Sequence, residues 1–410
     1  MGQYQGPDDT GKGLAAVGDW GDSAADSDEE VDIREEEEPG DRYLRGFYAH
    51  ICLGDLLDGR YRVIHKLGWG GFSTVWMATD ETTGRDVALK IMRVCDVSEN
   101  DYEIQTRIKE KISGRDGLIV YERTFFYEGD MGQRHRVLVL PLVGLSLNYA
   151  LEKRPIAARR SAARRLLECL AKVHAAGVVV NDLNSGGVMW GVKSLAHHDR
   201  KNKYRVLGRP QKTQAEWNNQ VHRRPGDLVQ TVKVPESLLE DSVYLGDFGM
   251  AFRTGGAGQK VVFPTFTAPE RLHGIAPSAA SDMWSYTVIL AHLFFGKLTF
   301  TYAPTPMFNS TSAPPPLMTR LFDSFGPLPS EWKERYTEQG TVPGSYYGTP
   351  QGFSPHFHNT IENNLPQLSA TDRSHLESVL SRGFQYHPEK RLTAAELLKD
   401  PSFIALTTAA

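Results

Sequence analysis

The chain has 410 residues, 40% hydrophobic and 23% charged, with a formal net charge of −4; this is an ordinary globular composition with length for two or more core-bearing units. The charge is uneven: residues 1–45 hold 14 acidic and 4 basic side chains, so that segment is −10 and the remainder +6. Three cysteines, Cys52, Cys95 and Cys169, lack metal-ligand spacing and argue against a disulfide framework, and the apolar run from Met283, "MWSYTVILAHLFF", is too short and too polar to span a bilayer.

The opening "MGQYQG" has Gly2 but no Ser or Thr at the sixth position, which argues against myristoylation. No charged segment followed by an apolar one marks a secretory signal. A soluble intracellular protein, cytoplasmic or nuclear, is expected. Residues 1–41 are rich in Gly, Asp, Glu and Ser, too poor in large apolar groups to offset ordering entropy, and are expected to form a disordered acidic tail.

From Tyr61 the pattern changes. "RYRVIHKLG", "STVWMATD" and "RDVALKIMRV" alternate apolar and polar residues with glycine-containing breaks, which predicts a run of antiparallel strands. Helical spacing follows in "DYEIQTRIKEKI", "ARRLLECLAKVHAAG", "SDMWSYTVILAHLFFGK", "RSHLESVLSRGF" and "TAAELLKDPSF". A strand-rich front and a helix-rich back predict an α+β chain in two lobes. Two irregular stretches interrupt the second lobe: a basic insertion at about 193–242, and a Pro-, Gly- and Ser-rich segment at about 303–355.

Several short stretches carry candidate chemistry. "LGWGGFSTVW", spanning Leu67, Gly68, Trp69, Gly70, Gly71, Phe72, Ser73 and on to Val75, is a glycine-rich turn whose backbone N–H groups suit phosphate oxygens, with Phe72 capping the tip. An ordinary hairpin explains it equally well when it is taken alone. In "VALK", Ala88 and Lys90 lie on an apolar strand, where a buried ammonium needs a partner; Glu103 is the natural candidate. The bland alternative is a snorkelling surface lysine.

"YLGDFGMAF" places Asp247 at a strand end, where a carboxylate can ligate Mg2+. "FTAPE" ends in Glu270, "SDMWS" contains Asp282 and "HPEKRL" contains Arg391. Of these, Glu270 and Arg391 are expected to form a buried ion pair, and Asp282 to orient a loop backbone. Each match alone is weak; their order and spacing make a coincidence improbable.

Glycine loop, strand lysine, helix glutamate, aspartate loop, DFG, APE, helix aspartate and late arginine follow one another as in a protein kinase, and the chain resembles that superfamily from about Tyr43 to Phe403. "GDLLDGRYRVIHKLGWGGFSTVWMATD" and "LVLPLVGLSL" further resemble the kinases of serine/arginine-rich splicing proteins, particularly their fungal relatives. The resemblance implies a bilobal fold over residues 42–404, with an N-lobe at 61–140, a hinge at 141–144, a C-lobe at 145–404 and ATP in the cleft. Leu140 would be the gatekeeper. The Pro141 carbonyl and the Val143 N–H would meet adenine, Lys90 held by Glu103 would contact the phosphates, and Asp247 would hold Mg2+.

One loop departs from the family pattern. "VVVNDLNSGG" keeps Asp182 at the base position, but Asn184 stands where the family has lysine, Gly187 where it has a metal-binding asparagine, and Val180 where a histidine braces the DFG turn. Losing one electrostatic stabiliser typically costs roughly 10²- to 10³-fold in rate. Two principal readings follow: a serine/threonine kinase with a protein substrate, Arg/Ser-rich by resemblance, and a pseudokinase that binds ATP as an interaction module. Nucleic-acid binding through "HHDRKNKYRVLGRPQK" is a weaker third, since such charge runs are usually solvated loops. No membrane partner is expected.

Overall fold

A computed structural model describes residues 38–129, 131–149, 151–214, 227–256, 264–301, 315–338, 340–350 and 352–408. Most of the acidic tail, residues 1–37, and parts of both irregular stretches, 215–226 and 302–314, lie outside the described residues. In chain order the elements begin with α1 (Asp41–Leu44), β1 (Leu56–Leu57), β2 (Tyr61–Gly70), β3 (Ser73–Asp80), β4 (Asp86–Met92), α2 (Asp96–Lys111), β5 (Arg123–Glu128) and β6 (Arg134–Pro141). Then come α3 (Ile156–Ala175), β7 (Val178–Val179), β8 (Val188–Val192), α4 (Arg200–Leu207), β9 (Lys212–Gln214), β10 (Asp227–Val229), β11 (Leu239–Leu245) and β12 (Phe252–Arg253). The chain ends with α5 (Ala279–Phe295), α6 (Pro316–Phe325), β13 (Leu328–Pro329), β14 (Tyr347–Gly348), α7 (Pro355–Asn364), α8 (Ala370–Gly383), α9 (Ala394–Leu397) and α10 (Pro401–Thr408).

Two compact units emerge. One comprises residues up to Ser98, Tyr121–Leu142 and Lys193–Leu238; the other comprises Glu99–Val120, Val143–Val192 and Leu239–Ala410. The first is built on a six-stranded antiparallel sheet of order β1-β2-β3-β4-β6-β5. Because successive side chains on a strand face opposite ways, Val87, Leu89 and Ile91 join Tyr61, Val63, Trp76, Val137 and Val139 in one core on one face. Ala88 and Lys90 take the other face, and register sets Ala88 opposite Leu140 and Lys90 opposite Val75 and Leu138.

The basic segment is expected as an insertion in the second lobe, yet its described residues, 193–214 and 227–238, cluster with the sheet of the first unit. The reason is chemical. Lys203 of α4 is 3% exposed and donates to Asp86 Oδ1 at 2.5 Å and Thr79 Oγ1 at 3.1 Å, Tyr204 Oη donates to the Ile64 carbonyl at 3.0 Å, and Val229 enters the sheet core. The N-terminal end of the described chain docks on the same unit: Glu38, 1% exposed, pairs with the fully buried Lys66 and accepts from Tyr43 Oη.

The second unit is mainly helical. Helix α5 starts in a capping box between Ser278 and Ser281 and stops at Gly296, whose φ of 73° is the left-handed geometry that glycine adopts without strain. Buried on every side from Ser281 to Phe294, it is the centre of the unit. Trp284 meets Phe384 at 5.0 Å and Phe325 at 5.5 Å, and Tyr286 Oη donates to the Ala163 carbonyl of α3 at 2.9 Å. All three cysteines are free, and burial pushes the Cys169 thiol up to about 11, so it packs as an inert side chain.

Candidate active site

The glycine-rich turn joins β2 to β3, with Gly70 paired to Ser73. A Cβ on Gly68, Gly70 or Gly71 would meet nothing within 4 Å, so the protein's own packing does not demand these glycines and the space beside the backbone is open. Trp69 and Phe72 stand exposed there, at 40% and 42%. Tyr48 Oη donates to the Gly70 carbonyl at 2.5 Å and ties the turn to the segment before β1. Val75, Ala88, Lys90 and Leu140 share one face of the sheet, and Leu67 and Pro141 are half-buried.

The hinge residue Gly144, just beyond Val143, belongs to the second unit, where its N–H donates to the Trp190 carbonyl at 2.8 Å. An added Cβ there would lie 2.5 Å from Leu239 Cδ2 and 3.0 Å from the Gly191 carbonyl oxygen, so any larger residue would force these neighbours to shift.

Helix α2 carries Glu103, the expected partner of Lys90. Asp101, Ile104, Gln105, Ile108 and Ile112 are buried, the i, i+3, i+4, i+7 pattern of one helix face. Glu103 lies off that face and is exposed. The buried carboxylate of the helix is Asp101, 0% exposed, which accepts from Gln105 Nε2 at 2.8 Å.

The catalytic-loop candidate, Val180 to Gly187, hangs from Asp282. This carboxylate is 1% exposed and accepts from the N–H groups of Val180 and Asn181, each at 2.8 Å, and from His174 Nε2 at 2.9 Å. Arg271 Nη1 adds a bond to the Asn181 carbonyl at 2.9 Å. Asp282 therefore orients the loop as expected, and Glu270 and Arg391 form the expected pair: two parallel bonds of 2.8 and 2.7 Å between side chains 0% exposed. Ser281 Oγ completes it at 2.9 Å from Glu270 Oε1.

Within this frame Asp182 is half-buried and its carboxyl is pushed up to about 6, first by burial and then by the charge of Asp247, with the Asn184 amide and the Arg271 guanidinium pulling it back. Asp247 is exposed and holds a left-handed backbone, φ 58°. Asn184 does not extend like the lysine it replaces: its Nδ2 donates to the Asp182 carbonyl at 2.8 Å, and its Oδ1 accepts from the N–H groups of Gly186 and Gly187 at 2.8 and 3.3 Å. Gly187 has no side chain to offer a metal, and its carbonyl accepts the Gly246 N–H at 3.0 Å.

The charge of Asp247 raises the cost of ionising Asp182, an arrangement that suits a cation beside them. Among the described residues no group of three or more His, Cys, Asp or Glu side chains is placed to hold a metal ion. That donor set fits Mg2+, which usually takes one or two protein carboxylates and completes its shell with phosphate oxygens and water. Sequence reasoning missed Arg271 and the loop contacts of Asn181. Among the described residues no helix is long and apolar enough to cross a membrane.

Comparison with known proteins agrees with this geometry. A family model described as protein kinase domain matches residues 232–403. A serine/threonine-protein kinase SRPK of Physarum polycephalum is 25% identical over 89% of this chain and 91% of its own, and a serine/threonine protein kinase of Aspergillus fumigatus is 24% identical over 92% of each. SRSF protein kinase 3 of Mus musculus is 50% identical, but over 15% of this chain and 11% of its own length. A crystal structure of a kinase domain superposes with a TM-score of 0.58 at 17% identity, covering 88% of this chain and 99% of that one. With its antiparallel front sheet and helical second unit, the chain has a protein kinase-like fold and is similar to serine/threonine protein kinases over most of its length.

Proposed function

We propose that the protein is an ATP-dependent serine/threonine kinase of the SR-protein-kinase-like type, acting on protein substrates that include Arg/Ser-rich segments. The observation that carries this reading is Asp182: a half-buried carboxyl at about 6, beside Asp247, on a loop whose backbone is fixed by Asp282. A base with that value is mostly ionised at neutral pH yet basic enough to accept a proton in the transition state. Asp182 would take the proton of the attacking Ser or Thr hydroxyl as that oxygen bonds to the γ-phosphorus and the bond to ADP breaks.

The other chain residues bind and orient. The open backbone of Gly68 to Gly71 would lie along the phosphates, Lys90 would contact them, and Ala88, Leu140, Pro141 and Val143 would line the adenine. Asp247 would hold Mg2+, which when bound neutralises phosphate charge. Purified protein should transfer phosphate to an Arg-Ser peptide, and Asp182→Asn should lose at least 100-fold; equal incorporation by both proteins would sink the proposal.

A second reading, a pseudokinase that binds ATP as an interaction module, is favoured by Asn184 being tied into its own loop and by the bare Gly187. It keeps nucleotide binding and drops transfer. A thermal shift with Mg-ATP that Lys90→Met abolishes, together with no transfer, would select it.

A further inference from the structure

We propose that Asn100 and Asn181 form a two-amide clamp that positions Asp247, so that helix α2 and the metal-binding segment are held as one piece. Three consecutive carbonyls follow the Asp247–Phe248 step, and each accepts from an asparagine side chain. Asn100 Nδ2 donates to Gly249 O at 3.0 Å and to Ala251 O at 2.8 Å. Asn181 Nδ2 donates to Met250 O at 2.9 Å. An amide nitrogen carries two hydrogens, so Asn100 spends both on this one segment.

The clamp does work that the loop's usual support cannot do here. Val180 has no polar atom with which to brace the turn, and Asn181, the next residue, reaches the turn instead. Asp247 itself sits at φ 58°, a conformation that a non-glycine residue keeps only when its surroundings hold it there. Behind it, Ala251 N–H closes on Phe248 O at 3.0 Å and Phe252 pairs with Val179, so the segment is fixed on both sides of the three carbonyls. In front, Gly246 N–H bonds Gly187 O. Asn100 is the only one of these anchors that comes from helix α2, and it therefore couples the helix to the carboxylate. Asn100 and Asn181 are positioning residues: they act through the backbone of 249–251.

The test is amide hydrogen exchange of the full chain, wild type against Asn100→Leu and Asn100→Asp, which keep the side chain's size and remove the donor. Exchange needs no nucleotide and so does not depend on the proposed activity. Amides 246–253 should exchange at least 10-fold faster in both variants, with α3 and α5 unchanged. The second readout is affinity for ADP with and without Mg2+: the variants should lose most of the Mg2+ increment, about 10-fold, and keep metal-free binding. Unchanged exchange at 246–253 overturns the clamp. Faster exchange throughout the unit makes Asn100 merely structural and overturns it too. Local loosening with an intact Mg2+ increment overturns the positioning of Asp247. The inference rests on the kinase reading only for the role of that carboxylate; a wild type that binds no nucleotide refutes the kinase reading, and exchange alone then decides the clamp.

Discussion

The side chain of Asn184 folds back on Asp182, donating to its carbonyl at 2.8 Å while accepting from two glycine N–H groups beyond. The loop is therefore ordered by the residue that replaced the family's lysine. Asn184→Lys removes three hydrogen bonds, each worth about 1 kcal/mol net, and should lower the melting temperature while adding a cation near the reacting phosphate. Gly187→Asn should be tolerated, since a Cβ at 187 meets nothing closer than 3.6 Å. The double variant is expected to transfer phosphate at least 10-fold faster than wild type, a part of the roughly 10²-fold that one such stabiliser supplies. Steady-state transfer with melting curves measures both effects; a double variant no faster than wild type would mean that the lost side chains do not limit the rate.

With Asp182 as the proposed base, activity and stability should respond to pH in opposite directions. Its folded value of about 6 lies above its ordinary 3.8, chiefly because burial disfavours the charge. A base must be ionised to accept the proton, so on the proposed role of Asp182 the rate should rise through about pH 6 and level off above it. A raised carboxyl stabilises the fold below the unfolded value and loses that contribution as pH rises through the folded one. Asp182→Asn should therefore be more stable than wild type at pH 8, by about 1 to 3 kcal/mol, and equal to it near pH 4. Saturating Mg2+ should move the activity limb lower by offsetting Asp247. Denaturant unfolding at the two pH values checks the sign.

What the sequence made legible was mostly local. Strands β2, β3 and β4 follow their period-two patterns because one face is buried against Trp76, Leu89 and Val139. Asp282, Glu270 and Arg391 were placed by motif order, and their burial makes their pairing obligatory. Two features resisted because they depend on tertiary context. "HHDRKNKYRV" looks like a solvated charge run until Asp86 supplies a buried partner for Lys203. Glu38 closes an acidic run that reads as solvated, yet it is buried against Lys66.

Helix α2 offers a contrast between two carboxylates two positions apart. Glu103 is exposed, and Glu103→Ala should change stability by less than about 0.5 kcal/mol. Asp101 is fully buried and bonded to Gln105, so Asp101→Ala removes a buried hydrogen bond and should cost about 1 to 3 kcal/mol. If Asp101 is also the helix's functional acid, its loss should weaken nucleotide binding more than Glu103→Ala does. Chemical unfolding and a nucleotide titration of the two variants rank them, and a larger loss for Glu103→Ala in both would assign the role to Glu103.

Lys203 ties the basic insertion to the sheet by a bond to Asp86 between side chains 4% and 3% exposed. Removing one partner of such a pair leaves a buried charge alone, typically at a cost of about 3 to 5 kcal/mol, whereas replacing both by apolar groups is often close to neutral. Lys203→Met should therefore destabilise the first unit strongly, and Lys203→Met with Asp86→Leu should recover most of the loss. Because Tyr204 also anchors α4 through the Ile64 carbonyl, the single variant should loosen the helix without releasing it wholly. Trypsin should cut at Lys201 and Arg205 faster in Lys203→Met than in wild type, and at close to the wild-type rate in the double variant. Equal cleavage in all three proteins would show that the insertion is held by Val229 and its apolar contacts, with the ion pair serving only to satisfy Asp86.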